Sequence, residues 1–538
     1  MAPKTRKRAV KAPVPNDEVE NVAPEQAKKL KIQKALDTTE DSPALVDAQI
    51  DPDKFFPHSN CHVYVEDGVV YDATLNQTNI GNNNNKFYIA QLLKEDNSLQ
   101  HSRRIGYDGQ NSCSQLPLDA AKREFSKKFA DKTGNRFENI ASFEHKPKKY
   151  DLIRIDYGKA KPKAAVIVDG VKEDKNHPSK LDERVKNVID QICNLKALEI
   201  YLKNRMDYNT DQSPLGALKK SQIKAGFEIL AKIEQHLLNK DTSGDYQDLI
   251  NEYLTKIPHA FGMKRIGGAF LSSLEQVKNE LDLLEALVDV EIANEMLKNN
   301  EPSVTKVMNP SDINYERLKC KMVALEPKHK DYKMAETYLN NTHGATHSNF
   351  KLKLLNVFQL ERENESDGFR TDLENHRLLW HGSRLVNWCG ILLRGLRIAP
   401  PEAPCTGYMF GKGVYFANSV SKSGNYCNAR IGDRGFLTLA QVALGNMQEK
   451  VNADYDASKL PEGIHSTHGV GMNEPAARGS KKIKIDGKEV LVPCGKLNKK
   501  KNADDFNLVY DEFIIYNINQ VRLRYLLEVE FVSPHSED

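Results

Sequence analysis

Leu378-Leu379-Trp380-His381-Gly382-Ser383-Arg384 opens the most informative region of this 538-residue chain. Gly395-Leu396-Arg397-Ile398-Ala399-Pro400 follows, then Gly407-Tyr408-Met409-Phe410-Gly411-Lys412-Gly413-Val414-Tyr415-Phe416-Ala417 and Lys422-Ser423-Gly424-Asn425-Tyr426-Cys427. Tyr510-Asp511-Glu512-Phe513 completes the series. Apolar runs broken by Gly and Pro turns predict strands at Gly413–Ala417, Phe436–Ala440, Phe513–Tyr516 and Tyr525–Phe531. The region gathers small residues, hydroxyls and aromatic rings near one histidine and one distant glutamate. Such a mixture suits a site that sandwiches a flat ring, binds an amide through backbone and hydroxyl, and leaves a carboxylate for chemistry. Taken singly, each residue has a plainer reading. A histidine beside Trp380 usually packs in a core, Tyr415 and Phe416 fit a buried strand, and Glu512 beside Asp511 fits a strand-edge charge. Gly411-Lys412-Gly413 lacks Walker and dinucleotide spacing, and no GxGxxG turn follows a strand, which disfavours a hydride-transferring dehydrogenase.

Upstream, the texture is helical. Ile223, Phe227, Leu230 and Leu237 share one face of a segment opening near Ser221, and Leu274, Val277, Leu281, Leu284 and Val288 repeat from Ser272 towards Leu297. Residues 181–300 read as a bundle, and 312–340 as its helical continuation. Residues 158–180, rich in Lys and Pro, read as a linker. Short strands at Val63–Val65, Val69–Tyr71 and Phe87–Leu93 precede a helix carrying Ala120, Ala121, Phe125 and Phe129, which Gly134 should stop.

Hydrophobic residues make up 39% and charged residues 28%, and no run reaches the roughly 18 apolar residues of a membrane span. The first residues, Met1 to Arg8, lack the apolar stretch of a secretory signal. Eight cysteines without a CxxC pair argue against a disulfide framework or zinc finger and for a reducing compartment. Residues 1–34 hold nine Lys or Arg against four acids, although the whole chain carries only +3. That basic arm suits a polyanion partner or a nuclear address, and equally a solubilising tail.

The five blocks from Leu378 to Phe513, in order, resemble the catalytic domain of the poly(ADP-ribose) polymerases. The resemblance extends to the short, DNA-dependent branch without zinc fingers. Pro214-Leu215-Gly216-Ala217-Leu218, Ile257-Pro258-His259-Ala260-Phe261-Gly262-Met263 and Asp289-Val290-Glu291-Ile292-Ala293 are similar to that family's regulatory helices. The expected fold is a multidomain α+β chain. It comprises a disordered basic arm (1–54), a small strand-rich WGR-like DNA-binding domain (55–157), the linker (158–180), an all-α helical regulatory domain (181–300) and a mixed α/β ADP-ribosyltransferase catalytic domain with antiparallel sheets (301–538).

The resemblance implies transfer of ADP-ribose from NAD to protein acceptors and into polymer, without a metal. Glu512 would stabilise the positive charge that develops on the ribose as nicotinamide leaves, with His381, Tyr415 and Lys422 as its catalytic companions. Gly382 and Ser423 would bind the nicotinamide amide, Tyr426 and Tyr415 would flank its ring, and His381 and Ser383 would hold the adenosine ribose. Asn387, Arg397, Phe416 and Ala417 complete the implied NAD set. A mono-transferase and a non-enzymatic DNA-end scaffold are the rival readings.

Residues 71–157 resemble the WGR domain, through Tyr71–Asn79, Asn82–Tyr88, Phe125–Asn135 and Lys149-Tyr150-Asp151. Where that domain has Trp-Gly-Arg, this chain has Ser102-Arg103-Arg104, and the stretch after Leu93 is short, so truncation of a central strand is expected. The implied partners are DNA strand breaks, bound without sequence preference through Arg103, Arg104 and the basic arm. A protein-interaction module is the alternative. Protein acceptors would include the enzyme itself and chromatin proteins, in the nucleus, with no membrane partner. The helical domain would restrain the site, so that a chain lacking residues 182–300 is active without DNA. Asp282, Glu285 and Asp289, at helical spacing, either face that site or form a solvated stripe.

Overall fold

The computed structural model describes residues 61–81, 84–95, 101–107, 110–155, 177–209, 218–260, 270–298, 308–501 and 503–535. The basic arm, most of the linker, Pro214–Ala217 and Phe261–Met263 lie outside these residues.

Strands β1 (Cys61–Val63), β2 (Val65–Glu66), β3 (Val69–Val70), β4 (Asp72–Asn79), β5 (Asn84–Glu95), β6 (His101–Tyr107), β7 (Gln110–Leu116) and β8 (Asp151–Ile153) build the N-terminal region. The main sheet runs β7-β6-β5-β4-β8, with β1 also on β5. Helix α1 (Leu118–Thr133) buries Ala121, Phe125 and Phe129, one turn apart, so a single face meets the sheet. Phe125 and Phe129 close on Phe137, with ring centroids 4.7 and 5.4 Å apart. Gly134 ends the helix at φ 70°, a conformation open to a residue without a Cβ. The strand expected to be truncated spans seven residues and is paired on both sides: Arg103 pairs with Leu92 and Ser114, and Arg104 with Gln91 and Cys113.

Among the described residues five helices follow: α2 (Glu183–Ile192), α3 (Leu195–Arg205), α4 (Lys220–Leu238), α5 (Tyr246–Lys256) and α6 (Leu274–Lys298). Asp182 and Asn194 cap α2 and α3 by accepting from Arg184 N and Ala197 N. Ile223, Phe227 and Leu230 of α4 pack with Tyr253 of α5 and with Val277, Leu281 and Leu284 of α6. The N-terminal sheet docks on this bundle. Asn76 donates to the carbonyls of Leu254 and Thr255, Ile80 N donates to Asn251, and Lys256 pairs with Asp151 at 3.1 Å. Helix α2 behaves differently, since its Val185, Val188, Ile189 and Ile192 join Phe358, Leu360 and Trp388 in the core of the C-terminal region.

The expected helical continuation over 312–340 is interrupted. Helix α7 (Pro310–Leu318) ends at left-handed Lys319, β9 (Cys320–Ala324) follows, and α8 (Lys330–Asn341) resumes. Cys320 and Met322 are buried on alternate positions and β9 pairs with an edge of the next strand, a period of two that overrides the flanking helical pattern. The C-terminal region continues through β10 (Lys351–Arg362), β11 (His376–Ser383), α9 (Trp388–Arg394), β12 (Val414–Phe416), α10 (Val420–Asn425), β13 (Arg434–Ala443), β14 (Met447–Lys450) and β15 (Ser466–Gly469). It ends with β16 (Gly471–Pro475), β17 (Lys481–Ile485), β18 (Lys488–Val492), β19 (Leu497–Lys499), β20 (Leu508–Tyr510), β21 (Glu512–Ile515) and β22 (Val521–Val532). A seven-stranded sheet, β17-β18-β11-β13-β22-β10-β9, shares its core with a four-stranded sheet, β12-β21-β15-β14. Among the described residues no helix is long and apolar enough to cross a membrane, and no group of His, Cys, Asp and Glu stands ready to hold a metal ion.

Candidate active site

The site begins where β11 outruns its neighbour. Strand β18 pairs only with His376 and Arg377, whereas β13 follows β11 to Ser383. Trp380 exchanges both backbone hydrogen bonds with Ala417, at 2.8 and 3.0 Å. Peptides two residues apart on a strand face the same edge, so Gly382 turns its N–H and C=O towards the side Trp380 uses. No described strand pairs it there. A Cβ on Gly382 would lie 2.0 Å from the Ser423 carbonyl oxygen, which is why only glycine fits where β11 crosses α10. The Ser423 hydroxyl donates to Trp380 O at 3.1 Å and keeps its lone pairs as acceptors.

His381 is oriented by the carbonyl of Tyr415, 2.9 Å from Nδ1. A carbonyl only accepts, so Nδ1 carries the proton and Nε2 is left as an acceptor. Burial lowers the pKa of His381, partly offset by that hydrogen bond. Tyr415 is anchored through its own hydroxyl, which donates to Gly411 O at 2.7 Å and accepts from Phe410 N at 2.9 Å. Phe416, its strand neighbour, faces the opposite side and packs in the core beside His381. Asn387 donates to the Ser383 hydroxyl at 2.9 Å.

Glu512 starts β21, an interior strand, so it is not an edge charge. It is 8% exposed and pairs with Lys422 Nζ at 2.8 Å. Lys422 also donates to Tyr510 O at 2.8 Å. Burial lowers the Lys422 pKa, against the upward pull of Glu512. Next door, burial would raise the Asp511 carboxyl, but His468 at 3.3 Å and Lys500 at 2.8 Å overcome this and hold it at about 2. Asp511 is thus a fixed anion that positions β21, accepting also from Asn418 and from Gly471 N. The Glu512 charge acts on the hydroxyls of both Tyr415 and Tyr426. Glu512, Lys422, Tyr415 and Tyr426 therefore occupy one neighbourhood, and His381 and Gly382 border it through Tyr415 and Ser423.

Helix α6 closes over this neighbourhood. Lys278 stands 5.6 Å from the ring centroid of Tyr426, which is 49% exposed. Asp282 pairs with Arg384 at 2.8 Å, Glu285 accepts from the Tyr408 hydroxyl, and Asp289 pairs with Arg397. The acidic stripe of α6 faces the site. Arg397, expected at the NAD site, is engaged with α6. Tyr408, whose ring lies 6.0 Å from that of Tyr415, was quoted in the sequence without a role. The loop at Cys405 and Thr406, which the sequence reading passed over, donates from both amides to Glu234 of α4. Arg103 and Arg104 lie on β6, in the N-terminal sheet, apart from this cluster.

Three family profiles match the chain: the poly(ADP-ribose) polymerase catalytic domain over residues 329–531, the poly(ADP-ribose) polymerase regulatory domain over 179–315, and the WGR domain over 71–144. Poly [ADP-ribose] polymerase 2 of Homo sapiens is 41% identical over 495 residues, covering 90% of this chain and 83% of that one. The chain belongs to the poly(ADP-ribose) polymerase family. Poly [ADP-ribose] polymerase 2-A of Oryza sativa subsp. japonica is 42% identical, covering 86% of this chain and 70% of its own. Poly [ADP-ribose] polymerase 1 of Gallus gallus is 36% identical over 90% of this chain but only 47% of its own. This poly(ADP-ribose) polymerase is an NAD-dependent ADP-ribosyltransferase, with NAD as the donor substrate.

Proposed function

We propose that DNA strand breaks activate this enzyme to attach ADP-ribose to proteins, itself and chromatin proteins included, and to extend it into polymer during DNA repair in the nucleus. The observation that carries the catalytic half is the buried Glu512–Lys422 pair at 2.8 Å, set beside two tyrosines and an unpaired strand edge. That edge fits the donor: the peptide of Gly382 and the hydroxyl of Ser423 offer a donor and acceptors to a carboxamide, and Tyr426 and Tyr415 offer ring faces. His381, accepting at Nε2, and Ser383 hold the far ribose, with Asn387 supporting Ser383. Ala417 keeps the edge open by its bridge to Trp380. As nicotinamide leaves, charge develops on the sugar, and Glu512 stabilises it and orients the acceptor hydroxyl. Lys422 holds the carboxylate in place.

The regulatory half rests on α6, whose Lys278 covers the ring of Tyr426. The N-terminal sheet grips α5 of the same bundle, so DNA held by Arg103, Arg104 and the basic arm biases a two-state closure. Labelled NAD, with and without nicked DNA, tests both halves. Long polymer only with DNA, weakening as salt rises, is the expected result. Single ADP-ribose units would mean a mono-transferase, and no incorporation at all would mean a DNA-end scaffold.

A further inference from the structure

Between Arg478 and Lys501 the chain carries nine Lys or Arg against two acids, a larger excess than the +3 of the whole protein. The structure concentrates part of this charge. An open cleft of about 700 Å³ is lined by Arg478, Lys499, Lys500, Lys501 and Phe506, with Glu474 as its one acidic wall residue. Its frame is backbone. β16 pairs with β19 in antiparallel register, Ala476 N donates to Lys496 O, and Lys500 N donates to Met472 O, both at 2.8 Å. A Cβ on Gly495 would lie 2.1 Å from Ala476 O, so the two segments cross in close contact.

Lys500 ties this cleft to the chemistry. Its Nζ contacts Asp511 at 2.8 Å and lies 5.8 Å from the Phe506 ring centroid. From Phe506 the chain runs through β20 directly to Glu512, at most roughly 22 Å of extended backbone. A cationic wall with an aromatic face fits a ligand that alternates phosphates with flat bases.

We propose that this cleft binds the pyrophosphates and adenines of the growing ADP-ribose chain and retains polymer beside Glu512, so that successive units are added before release. A cleft within roughly 22 Å of Glu512 favours the enzyme's own product over DNA. This rests on the reading of Glu512 as the residue at which polymer grows.

The test uses the full chain carrying Arg478→Gln, Lys499→Gln and Lys501→Gln together, leaving Lys500 to hold Asp511. A charge-reversed set, with Glu at the same three positions, is the second variant. Binding of purified, protein-free ADP-ribose polymer is measured without NAD, across a salt series and beside nicked duplex DNA. Polymer length is compared at matched NAD consumption. Polymer affinity should fall about tenfold with a shallower salt slope, DNA affinity should hold, and chains should be several-fold shorter. Unchanged polymer affinity, unchanged chain length, or loss of DNA binding alone would each overturn the assignment. Glu512→Gln separates the two claims: polymer made by that variant sinks the reading of Glu512, whereas cleft binding is measured without catalysis.

Discussion

In the proposed reaction Glu512 acts as a charge held still, and Lys422, itself anchored on Tyr510 O, supplies the means. Replacing Glu512 by Gln keeps the size and loses the charge, so polymer synthesis should drop by roughly a hundredfold or more, with NAD affinity, read by calorimetry, nearly unchanged. Gly382 presents the opposite case, where chemistry is refused by space. Gly382→Ala puts a methyl 2.0 Å from the Ser423 carbonyl, and β11 and α10 must part. A stability loss of about 1–3 kcal/mol is expected in a denaturant titration, together with loss of NAD binding. The ordered blocks around His381 and Glu512 were legible because each residue type is tied to one task. The contacts with α6 were not. Tyr408 meets Glu285, and Arg384 meets Asp282, across long intervals of chain that no local spacing encodes.

At the level of elements, α1 and α4 announced themselves through one apolar face each. Helix α6 announced itself through one of its two buried sides only. Its seven-residue rhythm marks the side facing α4, and its acids, which resemble a solvated stripe, meet Arg384, Tyr408 and Arg397. Burial raises Glu285 to about 7 and Asp289 to about 6, against the favourable contacts of Tyr408 and Arg397. A buried acid with a raised pKa favours the closed form when protonated. Closure should therefore be firmest at low pH, weaken as pH rises from 4.5 towards 7 for Glu285, and change little beyond. Amide exchange in α6, corrected for intrinsic rates, should rise over that window and flatten in Glu285→Gln. A flat profile in the unmodified protein would remove these acids from the closure. Strand β9 was misread for a related reason: five residues between two helices leave too few alternations to register a period of two.

For the whole molecule, the boundary between the helical and C-terminal regions is not a clean cut. Helix α2 and the end of α6 contribute Val188, Ile192, Ala293 and Met296 to the core around Trp388. Deleting residues 182–300, expected from the sequence to release activity, would strip that core. The two ends that matter lie close together: the Cys193 thiol contacts Cys389, and Asp289 lies against Gly390. Removing residues 195–288 and joining the stumps with a short flexible linker should give a folded protein that consumes NAD without DNA. The longer deletion should precipitate or melt well below it in a thermal scan. A silent yet folded short deletion would place control outside these helices. The same embedding bears on how tightly the restraint can ever be discarded. The first helix of the bundle is also masonry of the chamber beside it, so it cannot be pulled away without unbuilding the wall it belongs to.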